Sequence, residues 1–515
     1  MRIPGLEVRT AQWYDDCNTI TEAKHMADPN DLTSLPLEFT PDHENHARPA
    51  TQTGALIPEP KTAQREESSA GTECFQDGFL FMDEVHGKIH LNQIERDVIS
   101  TPEFLRLFRM SQLGFVSLVF PTANHTRGTH SIGACYWAKR LVDILSENRE
   151  RFRHVHGENT PKITKPERVL IGLAGLLHDL SHGPFSHDIE KKTHIVYLDE
   201  KRQVPKRVKS HYGLYEKHDD YELNPALYVY LMDQEHSVLA RVLRFYSDKF
   251  ARFLVGEGGK SSHLSRFAGL LEEHWPHYAE ELLPQLLFHL LVNEKFPEDD
   301  RPSRKIKTSF ASGVATDWGL GPQAKPDSWP LLHEAWYQPF RHDIVGDTLS
   351  ADLLDYLMRD QARLGIRNNL DLKLLDHYVL VQVGHDDSAV QAPAPKAHPA
   401  GIDVKTRYRC AIDLDDHKRG TFRSERLNDI FRLLDLRHQI HEKAVFHRVV
   451  QSAIAMVSRA GLLLGDSKPS PEELYGLSDT TPALAARGKS RRVALSISRI
   501  ICKKILQYGR TGIKC

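Results

Sequence analysis

The densest group of chemically capable side chains is HDLSHGPFSH, residues 178–187. It holds His178, His182, His187 and Asp179 within ten residues around a Gly-Pro turn. Purely structural use of four such polar groups is costly unless each satisfies another. His178 and Asp179 follow the apolar run PERVLIGLAGLL, so an imidazole nitrogen and a carboxylate oxygen emerge together from one buried helix end. That donor pair suits Fe, Mn, Zn, Ni or Co, whereas Mg prefers oxygen alone. A second constellation is Asp352, Tyr356 and Asp360, spaced i, i+4 and i+8 and so sharing one helical face. Leu353, Leu354, Leu357 and Met358 take the other faces and are expected to pack. Arg437, His441 and Arg448 lie near one face of a later helix, which is consistent with an anion surface.

These groups need a helical frame. TPEFLRLFRMSQLG reads as an amphipathic helix closed by Gly114, and SIGACYWAKRLVDILSENRERF and PERVLIGLAGLLHDL as longer helices, the second apolar nearly all round and hence buried. Helical patterns recur over 225–255, 274–292 and 426–464, and SADLLDYLMRDQARLG ends near Gly365. FLFMDEVHGKIHLN opens as a strand or hairpin, and HYVLVQV and YRCAIDL are short β pieces flanking the Ala/Pro-rich segment 386–401, a linker or long hairpin loop. A basic loop without periodicity lies between Lys191 and Lys217. Residues 1–75 are poor in aliphatics and rich in Pro, Thr, Ala and charge, so they read as a flexible extension, with a short helix about 11–26.

The chain has 515 residues, 40% of them hydrophobic, and its 67 Lys+Arg against 69 Asp+Glu leave a formal charge of -2. No whole-chain field therefore recruits nucleic acid. Six scattered cysteines without a CxxC pair exclude a cysteine zinc module and argue against a disulfide scaffold. No apolar run is long enough to span a membrane, and the first residues lack the core of a signal peptide, so the expected setting is soluble and intracellular, cytoplasmic or nuclear. Residues 486–515 carry nine Lys/Arg and no acid. They read as a packed terminal helix with solvated basic faces, with polyphosphate, nucleic acid or an anionic membrane as alternative contacts.

In order along the chain, TPEFLRLFRMSQLG, FPTANHTRGTHSIG, HDLSHGPFSH, DLLDYLMRDQARLGIRNN and LRHQIHEKAVFHR resemble the HD superfamily of metal-dependent phosphohydrolases. Within it they resemble the deoxynucleoside triphosphate triphosphohydrolases, and most of all those with a sterile-alpha-motif domain, although no such motif shows in residues 1–75. The likeness runs from about Phe79 to Arg448. It implies a mostly α fold: a helical-bundle core with small β elements over 76–465, the extension before it, and a basic tail over 466–515. It implies metal ligands at His130, His178, Asp179 and Asp352, and the cation (Mn, Fe, Mg, Co or Zn) would activate water and polarise the α-phosphorus. The resemblance further implies His187 as general acid, held by Glu190 where relatives more often place Asp, and active-site histidines at His182 and His218, the latter with His211 as competitor. His125 reads as structural.

For substrate, the resemblance implies that Tyr356 packs under a deoxyribose with no room for a 2′-hydroxyl, that Asp360 accepts from the 3′-hydroxyl, and that Gln112 and Leu113 complete the pocket. Arg127 and Arg437 match arginines on the triphosphate. Leu353 departs, standing where relatives carry Lys or Arg, and Val445 and Phe446 replace polar residues near the base. Ser100 and Phe108 replace the Asp and Arg of the mammalian guanine activator site, so activation of that form is expected to be absent. The implied activity is hydrolysis of a dNTP to deoxynucleoside and tripolyphosphate by a homo-oligomer, from dimer to tetramer or hexamer. Alternatives are another HD phosphohydrolase (acting on monophosphates, cyclic nucleotides or (p)ppGpp) or a nucleotide- or nucleic-acid-binding protein with an inactive HD site.

Overall fold

The computed structural model describes residues 72–153, 160–183, 185, 227, 230–258, 263–273, 275–291, 335–366, 372–383, 407–417 and 419–463. All lie in the unit Glu67–Cys515. The expectations for the extension up to residue 71, the basic loop, the segment 386–401, the tail, and His187, Glu190, His211 and His218 lie outside the described residues.

The described residues are mostly helical with small antiparallel strand pairs. Strands β1 (Phe79–Asp83) and β2 (Gly87–Leu91) form a hairpin in register from Phe79↔Leu91 to Asp83↔Gly87. At its turn, Asp83 Oδ1 accepts from the backbone N–H groups of Val85 and His86, both at 2.9 Å, an Asx-type closure that fixes where His86 points. Helix α1 (Gln93–Ile99) follows a reciprocal Asn92–Glu95 capping box.

Three helices carry the candidate site. Helix α2 (Arg127–Arg151) starts where Thr126 caps the N–H of Thr129, and α3 (Lys165–Leu177) starts at a Thr164–Glu167 capping box with Pro166 in its first turn. As its apolar sequence predicts, α3 is buried along nearly its whole length. It crosses α2 closely: a Cβ at Gly175 would lie 2.9 Å from the Ala134 carbonyl oxygen and from Ala138 Cβ, so only glycine permits the approach. Helix α4 (Val238–Gly258) packs on α3, and α5 (Leu282–Leu291) packs on both. Helix α6 (Ala351–Leu364) runs from a Ser350 cap to Gly365 in the left-handed conformation at φ 62° and lies on α2. Strands β3 (Tyr378–Val383) and β4 (Arg407–Ile412) pair antiparallel, bearing out the two short β pieces. Helix α7 (Ser424–Ile440) passes through a π-helical turn, His441–Val445, before α8 (Arg448–Leu463).

Three sequence expectations need correction. TPEFLRLFRMSQLG is not one helix: a single α turn, Pro102–Leu105, tightens into a 3-10 turn at Arg106–Arg109, and Met110 is extended. There the backbone turns away, with Arg127 N–H donating to the Met110 carbonyl and Ser111 bridging to Thr126. Tertiary pairing overrides the helical period. The run 274–292 is interrupted at Ala279–Glu281 between Trp275–Tyr278 and α5, and residues 233–237 separate α4 from the helical residues before it.

Candidate metal centre

The first turn of α2, the residues just beyond α3 and the first turn of α6 meet at one point. His130 Nε2 lies 3.2 Å from His178 Nε2 and 3.1 Å from Asp352 Oδ1, and His178 Nε2 lies 3.6 Å from that oxygen. The donor atoms of His130, His178 and Asp352 all fall within 4.8 Å of one another. Atoms bound to a common cation at about 2.0–2.2 Å stand roughly 3–3.6 Å apart, so the spacing fits one ion. Asp179 borders the group: its Oδ2 is 3.6 Å from His130 Nε2 and its Oδ1 is 3.5 Å from His178 Nε2.

The orientation of the rings is as informative as their spacing. His178 Nδ1 donates to the Gly175 carbonyl at 2.8 Å, and His130 Nδ1 donates to Asp355 Oδ2 at 2.7 Å. With Nδ1 tied back in each ring, both Nε2 atoms converge on the same space, and on losing its Nε2 proton each ring presents the lone pair a ligating histidine needs. A core histidine pair satisfied for packing alone has no reason to aim both Nε2 atoms at one carboxylate. The residues present therefore fit a divalent cation.

The electrostatics reflect this crowding. Burial alone would lower the His130 imidazole, but hydrogen bonds to Asp352 and Asp355 outweigh it and push it up to about 10. Burial acts the same way on His178 and is again outweighed, here by Asp179 and Asp352, so it too is raised. Burial would raise the Asp352 carboxyl, yet the two histidines hold it well below the usual carboxylate range, and Asp179 is held low by Arg127, His178 and His182.

The remaining implied site residues fall nearby. Arg127 is buried, and its guanidinium donates to Asp179 Oδ2. His182, also buried, places Nε2 3.2 Å from Asp179 Oδ1. On α6, Asp360 accepts from His125 Nε2 at 2.8 Å, and the His125 carbonyl accepts from the Gln112 N–H at 3.1 Å, so His125 ties two implied sugar contacts together. Among the described residues, buried Gln112 Oε1 has no hydrogen-bond partner. Burial pushes the hydroxyl of Tyr356, one turn before Asp360, up, and the charge of Arg437 on α7 opposes that rise. Leu113 packs partly buried against the core, and Leu353 is buried in it.

The sequence reading missed several members. Asp355 and Arg359 sit on the face of α6 expected to be packed leucine, and both are fully buried. Their signal was a pair of opposite charges at i and i+4 inside an apolar stripe. Arg106 reaches from the 3-10 turn to the carbonyls of Leu180 and His182, fixing the loop after α3. Phe185 is the one non-glycine among the described residues with positive φ, 56°, and it stacks on Phe115 at 4.8 Å. Residues held in that region concentrate at functional sites.

The HD domain family model matches residues 127–236, which take in three of the four implied ligands. The matched segment is thus an HD domain. The deoxynucleoside triphosphate triphosphohydrolase SAMHD1 of Danio rerio is 44% identical over 108 residues, covering 21% of this chain and 16% of that protein. The uncharacterized protein YwfO of Bacillus subtilis (strain 168) is 39% identical over 126 residues, 24% of this chain and 27% of that protein. SAMHD1 of Gallus gallus is 28% identical over 216 residues, 42% of this chain and 31% of that protein. The match thus takes in less than a third of the length of each of these relatives. Among the described residues no helix is long and apolar enough to cross a membrane.

Proposed function

We propose that the protein is a metal-dependent dNTP triphosphohydrolase that releases deoxynucleoside and tripolyphosphate. The observation that carries this reading is the convergence of His130 Nε2, His178 Nε2 and Asp352 Oδ1 with both Nδ1 atoms tied back. The likeness to SAMHD1 proteins supports the substrate class.

His130, His178, Asp179 and Asp352 would hold the cation. When bound, a divalent ion lowers the pKa of water and polarises a phosphoryl oxygen. The chain's own residues do the rest. Arg127, beside Asp179, brings a guanidinium to the edge of the ligand set, where a phosphate chain would meet it. Arg437 on α7, close enough to Tyr356 for its charge to act on that hydroxyl, would offer the phosphate chain a second guanidinium. The unpartnered Gln112 Oε1 and the His125-anchored Asp360 offer acceptors to sugar hydroxyls, and the Tyr356 ring between Asp352 and Asp360 sets how much bulk the sugar carries. His182 faces Asp179, and His187 with Glu190 supplies the proton for the leaving 5′-oxygen on this reading.

The test is a panel of dNTPs and rNTPs incubated with Mn, Mg, Fe or Co, with chromatography of the products. Intact tripolyphosphate beside deoxynucleoside is expected, with dATP turned over and rATP not. Release of orthophosphate or pyrophosphate would instead mark a different HD phosphohydrolase, and equal rates on rATP and dATP would remove the sugar argument. Asp179→Ala is expected to abolish turnover.

A further inference from the structure

We propose that Asp355 is the positioning residue of the metal centre, and that His86 in the β1–β2 turn and Arg359 on α6 hold its carboxylate against His130. The inference rests on the metal reading above and adds a group that touches neither cation nor substrate. The Asp355 carboxylate is fully buried and surrounded by donors from three elements. Its Oδ2 accepts from His130 Nδ1 at 2.7 Å and from Arg359 Nε at 2.9 Å. Its Oδ1 accepts from His86 Nε2 at 2.5 Å and from Arg359 Nη2 at 2.8 Å. Arg359 is itself fixed by Asp83 Oδ2 at 3.0 Å, and the His86 ring stacks on Tyr136 at 5.0 Å and edge-on to Trp137 at 5.9 Å.

Every rotation that would let His130 swing is therefore opposed by a second contact on the same carboxylate. A carboxylate only accepts, so it keeps a proton on His130 Nδ1, and when the ring gives up one proton to a cation it is Nε2, toward His178 and Asp352, that becomes bare. Asparagine at this position cannot do both jobs. Its one oxygen must choose between His130 and the Arg359–His86 side, and its amide would face a donor. Removing such an outer partner of a ligating histidine costs typically 10–100-fold in metal affinity.

The experiment uses the full chain stripped with chelator. Mn²⁺ binding is titrated calorimetrically, and melting is recorded in EDTA. Asp355→Asn is expected to bind Mn²⁺ 10–100-fold more weakly than wild type. Glu167→Gln breaks a buried ion pair with Arg341 that touches neither Asp355 nor its partners, and it is expected to lower the melting temperature while leaving Mn²⁺ affinity within about threefold. His86→Phe keeps the stacking and loses the hydrogen bond, and is expected to weaken Mn²⁺ binding by roughly threefold to tenfold. A folded Asp355→Asn protein with wild-type affinity overturns the inference, as does a Glu167→Gln loss as large as that of Asp355→Asn. Should Asp355→Asn not fold, His86→Phe decides: unchanged affinity overturns it. If wild type binds no Mn²⁺, the metal reading itself has failed, a result distinct from all of these.

Discussion

Gly133 lies one turn beyond His130, in the interior of α2, where helix propensity favours alanine by about 1 kcal/mol. On local grounds Gly133→Ala should stabilise the protein. The packing predicts the opposite. A Cβ built there falls 2.5 Å from Asp355 Cγ and 2.6 Å from Arg359 Nη2, and closer still to Asp355 Oδ1. Ordinary contact needs roughly 3.4 Å or more, so either α2 and α6 part by about 1 Å or the Asp355 carboxylate turns off its partners. The first course costs about 1–3 kcal/mol, as overpacking does. The second uncouples a buried charge from Arg359, for which about 3–5 kcal/mol is typical. After the propensity gain, a net loss of about 0–2 kcal/mol remains on the first course and about 2–4 kcal/mol on the second. Thermal melting in EDTA measures it, and calorimetric Mn²⁺ titration of the same variant shows whether His130 has been displaced. A Gly133→Ala protein that melts at or above wild type and binds Mn²⁺ equally well would refute the close approach of α6 to α2.

Glu167 is fully buried; burial would raise its carboxyl, but His263 and Arg341 hold it down at about 2, against an ordinary value of 4.5. A depressed folded pKa contributes stability that is present above 4.5 and lost as pH falls toward 2, about 3 kcal/mol in all; Glu167→Gln should flatten the loss of melting temperature across that window and lower stability above it, and an unchanged acid limb would contradict the assignment. The His130 imidazole must shed its proton to ligate, and with its pKa at about 10 that proton is present at neutral pH. Mn²⁺ binding should release protons at pH 7, seen as a dependence of calorimetric enthalpy on buffer ionisation, and apparent affinity should rise with pH; the absence of proton release would count against His130 as a ligand. His125→Phe leaves Asp360 without its 2.8 Å donor. Steady-state kinetics on dATP should show KM raised about fivefold to tenfold, the loss of roughly 1 kcal/mol per hydrogen bond, with kcat changed less; a loss confined to kcat would move His125 out of the substrate pocket.

Much of the frame was legible because it rests on local rules. The capping residues Thr126, Thr164 and Ser350 stand where the periodic segments begin, and the apolar run of α3 could only be a buried helix. The proposed ligand set came from the order of motifs, since no local signal connects Asp352 to His130 across more than two hundred residues. What escaped was tertiary. TPEFLRLFRMSQLG has a helical period, but Arg106 is drawn to the carbonyls after α3 and Met110 pairs with the start of α2, so the helix breaks. His86 carries no sequence mark at all: a histidine in a hairpin turn becomes part of the site only when the turn is folded onto α6. Asp355 was hidden by its own stripe of leucines, where a lone charge looks like an ion pair with Arg359 and nothing more.

The placement of the proposed ligands explains why such a site needs the whole bundle. His130 belongs to the first turn of α2, His178 and Asp179 lie just past the end of α3, and Asp352 belongs to the first turn of α6. Helix ends are where backbone groups lack intrahelical partners and where side chains can leave the packing face. A ligand in mid-helix would have to compete with the core for its direction, whereas one at an end is aimed by the crossing of two helices. Those crossings are set by Gly175 against Ala134 and by Gly133 against Asp355, both too close for a side chain. Each contact involves the helix that carries His130, and each lies within two turns of it. The position of that imidazole is thus determined twice, by the backbone approach on either side of α2 and by the carboxylate on its Nδ1. Small cavities or loosened packing elsewhere in the bundle should lower stability without moving the donors, while a change at either crossing should reach Mn²⁺ affinity even where it leaves every ligand in the chain.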